Sequence, residues 1–184
     1  MSLLHFEVDA SDLQRLVTDI GATEKQVKFA LHRALTRTAT TLRKLASRKL
    51  KDELALRTIN MLRKRLKSLK LRVSSGEGFT LWFGLNDIPV SWFTGTPTQG
   101  STGASFRGRE FPGAFVAKSK FKGRKTVFKR DGKARLHIAE QLMPVEDRMQ
   151  VIIEDQIFVQ TEKIFWQHFE RDLRARVNYG LGMS

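Results

Sequence analysis

Two runs of sequence decide how this chain is read: Phe111-Pro-Gly-Ala-Phe-Val-Ala-Lys118 and Val127-Phe-Lys-Arg-Asp-Gly-Lys-Ala-Arg-Leu136, joined by the basic segment Lys118-Ser-Lys-Phe-Lys-Gly-Arg-Lys125. Together they read as three short strands with two turns. Phe111, Phe115 and Val116 offer apolar contacts. Gly113, directly after Pro112, lets the backbone bend or a neighbour approach closely. Asp131-Gly132 is the clearest hairpin signal in the chain, because a two-residue turn of this kind needs positive φ and matches strand twist; a type I′ turn is expected. Nine cations lie in the stretch: Lys118, Lys120, Lys122, Arg124, Lys125, Lys129, Arg130, Lys133 and Arg135.

Upstream of these strands the pattern is helical. Ser11 can cap a short helix over 11–20 that ends at Gly21. Thr23 then opens a long helix over about 23–55, with Gln26 at the capping-box position. Val27, Leu31, Leu35, Thr38, Leu42 and Leu45 recur along one face, and Lys28, Arg33, Arg37, Lys44, Arg48 and Lys51 lie mostly off it. Thr58 starts a second, basic helix over about 58–68, where Ile59, Leu62, Leu66 and Leu69 form the stripe and Arg63, Lys64, Arg65, Lys67 and Lys70 cover the rest. Cations this dense repel one another unless something anionic offsets them.

Strands are expected over about 69–139. Leu69–Val73 and Phe79–Leu85 alternate around the turn Ser74–Gly78 and read as a hairpin. Val90-Ser-Trp-Phe93 is a candidate short strand. Gly95–Gly108 has four Gly, three Thr, two Ser and a Pro without an apolar run, so it reads as a flexible loop. After Pro144 a last helix over about 145–178 is expected, with Met149, Ile153, Ile157, Ile164, Phe165, Phe169 and Leu173 along its apolar face. At 184 residues and 41% hydrophobic content, the whole of 1–184 fits one α+β domain: a twisted antiparallel sheet packed by long amphipathic helices.

Composition narrows the function. Without cysteine there are no disulfides and no thiolate metal ligands. No apolar run approaches the roughly 18 residues of a membrane span, and the N-terminus has no basic segment followed by a long apolar block, so no signal peptide is predicted. The net charge of +14 is uneven: residues 1–60 carry 11 positive and 7 negative charges, residues 61–135 carry 17 and 4, and residues 136–184 carry 5 and 8. A cationic middle beside an acidic end suits either an anionic partner such as nucleic acid or head-to-tail self-association of unlike surfaces. His5, His32, His137 and His168 share no metal-ligand spacing. No phosphate-binding loop, dinucleotide fingerprint or nucleophile elbow occurs, so no catalytic residue, cofactor, metal or small-molecule substrate is expected.

The opening stretch, Phe-Pro-Gly-Ala-Phe-Val-Ala-Lys followed by Val-Phe-Lys-Arg-x-Gly-Lys-x-Arg-Leu, resembles the minor tail protein Z family of lambda-like phages and prophages. The helix containing Ala30-Leu-His-Arg-Ala-Leu-Thr-Arg-Thr-Ala39, leading into a second basic helix, is similar to that family too. His137 stands where the family usually has Pro. The resemblance implies a non-enzymatic virion protein that acts late in tail assembly in the host cytoplasm, at the tail end that joins the head, as a homo-oligomeric ring. Its partners would then be itself, other tail or neck proteins and DNA in passage. On that reading the 95–108 and 118–125 loops make assembly contacts. The alternative from charge alone is a nucleic-acid-binding protein using the 61–135 segment.

Overall fold

Thr23 caps the longest helix, α2 (Glu24–Glu53), in the way its sequence predicts: Thr23 Oγ1 accepts from Gln26 N at 3.4 Å, and Gln26 Oε1 accepts from Thr23 N at 3.0 Å. The computed structural model describes residues 2–60, 62, 72–74, 78–84, 86–119, 123–132 and 137–181. Before α2 come β1 (Ser2–Glu7) and α1 (Ala10–Ile20). Asp9 caps α1 instead of Ser11, because its carboxylate accepts from Ser11 N at 2.7 Å and Asp12 N at 3.4 Å. Of the predicted basic helix over about 58–68, residues 61 and 63–68 lie outside the described residues.

Three helices close with the same device. In α1, Gly21 N donates to Thr18 O and Ala22 N to Val17 O; at the chain's last helix, Gly180 N donates to Val177 O and Leu181 N to Arg176 O. In α2 the pair is Ala55 N to Asp52 O and Leu56 N to Lys51 O. Each motif needs one residue with positive φ: Gly21 at 68°, Gly180 at 63°, but Ala55 at 48°. A Cβ in that conformation costs about 1 kcal/mol. Ala55→Gly is therefore expected to stabilise the protein by about that amount and raise Tm by roughly 2–4 °C, read by thermal unfolding.

The strands are β2 (Arg72–Ser74), β3 (Gly78–Phe83), β4 (Ile88–Pro89), β5 (Thr98–Gln99), β6 (Gly103–Phe106), β7 (Arg109–Pro112), β8 (Ala114–Lys118), β9 (Lys125–Arg130), β10 (Ile138–Glu140) and β11 (Leu142–Met143). With the helices they make an α+β fold. All pairings are antiparallel, and the described strands fall into four small sheets ordered β1-β3-β2, β5-β6-β7, β10-β9-β8 and β11-β4. The predicted hairpin around 74–78 forms as β2–β3, and β1 adds to its other side.

Three expectations are corrected here. Gly95–Gly108 is not a flexible loop. It contains β5 and β6, and Ala104 and Phe106 are buried. Gly103 N–Cα–C passes so close to β7 that a Cβ there would lie 2.3 Å from the Phe111 carbonyl oxygen. Gly103 serves close backbone approach in this sheet. Second, Val90–Trp92 is a 3-10 turn, not a strand: Phe93 N bonds back to Val90 O, while Val90 N and Ser91 N are taken by Gln141 O and the Glu140 carboxylate.

Third, the C-terminal helix is interrupted. It runs as α3 (Glu146–Val151), a π-helical turn over Ile152–Ile157, a 3-10 turn over Phe158–Gln160, and α4 (Thr161–Asn178). The reason lies in the spacing of its buried residues. Met149, Ile153, Ile157, Thr161, Phe165, Phe169 and Leu173 are all buried and stand four apart throughout. In a regular α-helix each step of four residues overshoots a full turn by about 40°, so six steps would carry the stripe more than halfway round. The wider π turn takes back part of that drift.

This buried row packs on α2, whose Ala30, Ala34 and Ala46 are fully buried and let α4 approach. Phe165 lies 5.3 Å from Phe6 of β1 and 5.8 Å from Phe169, and Trp166 meets both Phe165 and Phe169 edge-on. Phe83 of β3 meets Phe158 at 5.4 Å. Aromatic pairs contribute about 1 kcal/mol each beyond simple burial, so β1 and β3 are fastened to the C-terminal helices by rings.

Candidate assembly surface

The cationic strands are positioned by one bend. Gly113, with φ at 70°, separates β7 from β8, so Phe111 turns inward in one sheet while Ala114–Lys118 starts another. Phe111 is buried under the Arg109 guanidinium, which sits 5.7 Å from its ring; Pro112 and Gly113 are exposed. Phe115 and Phe128 face each other across β8 and β9 at 6.2 Å. Gly113 N donates to Thr102 O, and Val116 N donates to the Gln99 side chain at 2.8 Å, so the bend is tied to β5 and β6.

From this base β8 and β9 project a ladder in which Lys118 stands directly opposite Lys125. Like charges in that position are destabilising on their own. Arg124, Lys129 and Arg130 add to them, and all five side chains are exposed. Among the described residues none of the five pairs with a carboxylate. Lys120, Lys122, Lys133 and Arg135, and likewise Arg63, Lys64, Arg65 and Lys67, lie outside the described residues.

The expected two-residue turn at Asp131-Gly132 does not close the hairpin. Ile138 pairs with Arg130, and Asp131 N donates to His137 O; residues 133–136, and with them most of the expected strand Lys133–Leu136, lie outside the described residues. Gly132 does adopt positive φ, at 76°, but so does His137, at 101°. The register is set further along. Glu140 Oε1 accepts from buried Thr126 Oγ1 at 2.7 Å and from Ser91 N at 2.9 Å, and Gln141 N donates to Val127 O. This carboxylate fixes β10 on β9 against the 3-10 turn.

A tight two-residue turn occurs instead at Arg107-Gly108, where Phe106 pairs with Arg109 and φ is 50° and 77°. Arg107 carries a role that sequence reasoning missed. Its guanidinium donates to Leu54 O at 2.8 Å, Ala55 O at 3.3 Å and Thr94 Oγ1 at 2.9 Å, and it lies over the rings of Phe93 and Phe106. A cation is favoured at a helix C-terminus, where carbonyls lack partners. Burial, then the nearby Arg148 and Arg57, pull its pKa below the usual arginine value. The apolar-polar pattern around Arg107 gives no hint that it reaches back to α2; only the helix end and the turn, once placed, show it.

The α2–α4 seam holds a second set of charges that the sequence reading did not bring together. Asp172 is buried; Arg176 Nε donates to its Oδ2 at 2.8 Å, and Arg33 Nε and Arg37 stand 3.4 and 3.9 Å from Oδ1. One turn away, His168 Nε2 meets Thr41 Oγ1 at 3.2 Å and Nδ1 lies 3.4 Å from Arg171. Burial first, then Arg171 and Arg37, lower the His168 pKa from 6.5. The unfolded chain thus binds this proton more tightly. Its contribution to stability is full above about pH 6.5 and is lost as pH falls toward the lowered folded value. The protein should melt at a lower temperature at pH 5.5 than at pH 7.5, and a His168→Gln variant should lose that part of the difference.

No group of three or more potential metal ligands occurs among the described residues, and no described helix is long and apolar enough to cross a membrane. Comparison with protein-family models, with curated proteins and with solved structures gives no match to this chain.

Proposed function

We propose that this chain is a non-enzymatic minor tail protein of a phage or prophage, acting in tail completion and head–tail joining as a homo-oligomeric ring. The observation that carries the reading is the β8–β9 ladder. The stretch that resembles the minor tail protein Z family supplies it, and it presents Lys118, Arg124, Lys125, Lys129 and Arg130 without a carboxylate partner among the described residues. An exposed ladder of like charge is stabilised by an acidic surface laid against it. The α+β body with a long helix agrees with what the resemblance implies. The working place is the head-proximal end of the tail, reached by assembly in the host cytoplasm, with no cofactor, small-molecule substrate or membrane involved. Mass measurement and electron microscopy of the purified protein, alone and with tail tubes, test this. Rings, or particles capping the tube end, are expected; a chain that stays monomeric with tubes present would overturn the proposal.

The same ladder favours one second reading, a nucleic-acid surface. Counterion release would then make duplex binding fall steeply with salt, by about 0.9 log unit per phosphate contact per log unit of salt. Absence of binding at low salt would end that reading.

A further inference from the structure

The groove between β1 and the start of α4 is opposite in charge to the chain's net charge. It encloses about 460 Å³, and the residues lining it include Glu7, Asp9 and Glu162, with His5 but no lysine or arginine. The chain as a whole carries +14. Glu7 is exposed and accepts from His5 Nε2 at 2.9 Å. Asp9 is kept below the usual carboxylate range, first by the Ser11 hydroxyl and then by the Ser11 and Asp12 amides. Val159 is 69% exposed, and the half-buried Phe158 and Trp166 add apolar surface beside it. Thr161 also lines the groove; it is only 3% exposed and its Oγ1 has no hydrogen-bond partner. β1 is an edge strand of its sheet.

A ligand that suits this lining has a cationic head on an aliphatic stem, which is the form of lysine and arginine side chains. The protein carries such groups itself, on elements that contribute nothing to the groove: Lys118, Arg124 and Lys125, exposed where β8 passes to β9. We infer that the ladder end formed by Lys118, Arg124 and Lys125 in one copy docks in the β1–α4 groove of the next. Because the two surfaces differ, the contact is head-to-tail; it repeats from copy to copy and closes into a ring where the rotation permits. The inference deepens the proposed function by naming the interface, and rests on it only for self-association. Its test needs no tail, so the two can fail separately.

The test uses the full chain and neutralising variants at exposed positions. The wild-type chain should increase in mass with concentration at low salt and dissociate as salt rises. Glu7→Gln with Glu162→Gln, and separately Lys118→Gln with Arg124→Gln and Lys125→Gln, should each weaken association about tenfold or more. Mixed together, the two variants retain one intact groove and one intact ladder end between them, so the mixture should stop at one-to-one dimers. A second measurement guards against misfolded variants. The chain has no cysteine, so Val159→Cys in one copy and Arg124→Cys in another should form a mixed disulfide in preference to either homodisulfide. A monomeric wild-type chain, neutralised variants that assemble as wild type, or homodisulfides in excess would overturn the inference. So would a monomer that binds a duplex oligonucleotide and loses it when Lys118, Arg124 and Lys125 are neutralised; that outcome would make the ladder end a nucleic-acid surface.

Discussion

Gly103→Ala is expected to destabilise the protein by about 3 kcal/mol or more. The added Cβ would lie 2.3 Å from Phe111 O, 3.0 Å from Pro112 Cα and 3.1 Å from Gly113 N. All three are backbone atoms, so no side chain can swing aside. The Gly103–Pro112 pair would have to open, and with it the Gly113 N to Thr102 O bond at the bend. Gly103 O also accepts from Gly100 N and from Gln99 Nε2, both at 2.8 Å, so the strain reaches β5. Since domains are stable by only about 5–15 kcal/mol, the urea midpoint should fall sharply with the slope unchanged. Gly100→Ala is the control. Its Cβ would meet Gly103 O at 3.4 Å, an ordinary contact at the edge of tightness, and the loss should be far smaller. Equal, small losses at both positions would mean that the 95–108 segment is loose after all.

The second large effect is expected at the helix seam. Asp172→Ala should cost about 3–5 kcal/mol, because it leaves a buried cation without its partner. Arg176 loses most: its side chain is 15% exposed and is stacked 5.5 Å from the Phe29 ring. Arg33 and Arg37 are 53% and 38% exposed and can turn to water at little cost. Arg176 also offers its carbonyl to Gln26, which belongs to the capping box of α2, so the loss should spread to that helix start. Asp172→Asn keeps the shape and should cost less. Chemical denaturation of both variants measures this, and hydrogen exchange at the first turn of α2 would show the spread. A loss below about 1 kcal/mol for Asp172→Ala would show that the three arginines are satisfied by solvent.

Much of the helical half could be read directly. The capping box Thr23–Gln26 and the stripe from Val27 to Leu45 are local patterns, complete within a few turns, and they hold. The π turn could not be read this way: the apolar stripe Met149, Ile153, Ile157, Ile164, Phe165, Phe169 and Leu173 fits one regular helix, and the buried row at every fourth residue, with Thr161 in it, shows only in the fold. The cations of the candidate surface were visible. Lys118, Arg124, Lys125, Lys129 and Arg130 are exposed as a charged β-ladder should be.

What failed were the judgements in which a local signal competes with a distant contact. Asp131-Gly132 has better turn chemistry than Arg107-Gly108, yet the tight turn forms at the latter. Pairing of Glu140 with Thr126 and Ser91 sets the register of β10 from outside the turn, and Arg107 accepts positive φ because its guanidinium gains the end of α2 and two aromatic faces. Glycine-rich 95–108 has the composition of a loop, but composition cannot show that a neighbouring backbone occupies the space a Cβ would need.

The sequence by itself therefore determined the α+β class, the span and capping of the long helix, the strand-rich middle and the concentration of positive charge in it. These depend on periodicity and composition, which act within a few residues. Only the tertiary structure decided that Phe111-Pro-Gly-Ala-Phe-Val-Ala-Lys118 divides at Gly113 between two sheets, that Lys118 faces Lys125, and that an acidic groove lies beside β1. Those features join residues far apart in the chain, and their energies come from close packing, buried hydrogen bonds and opposed charges that exist only once the chain has folded.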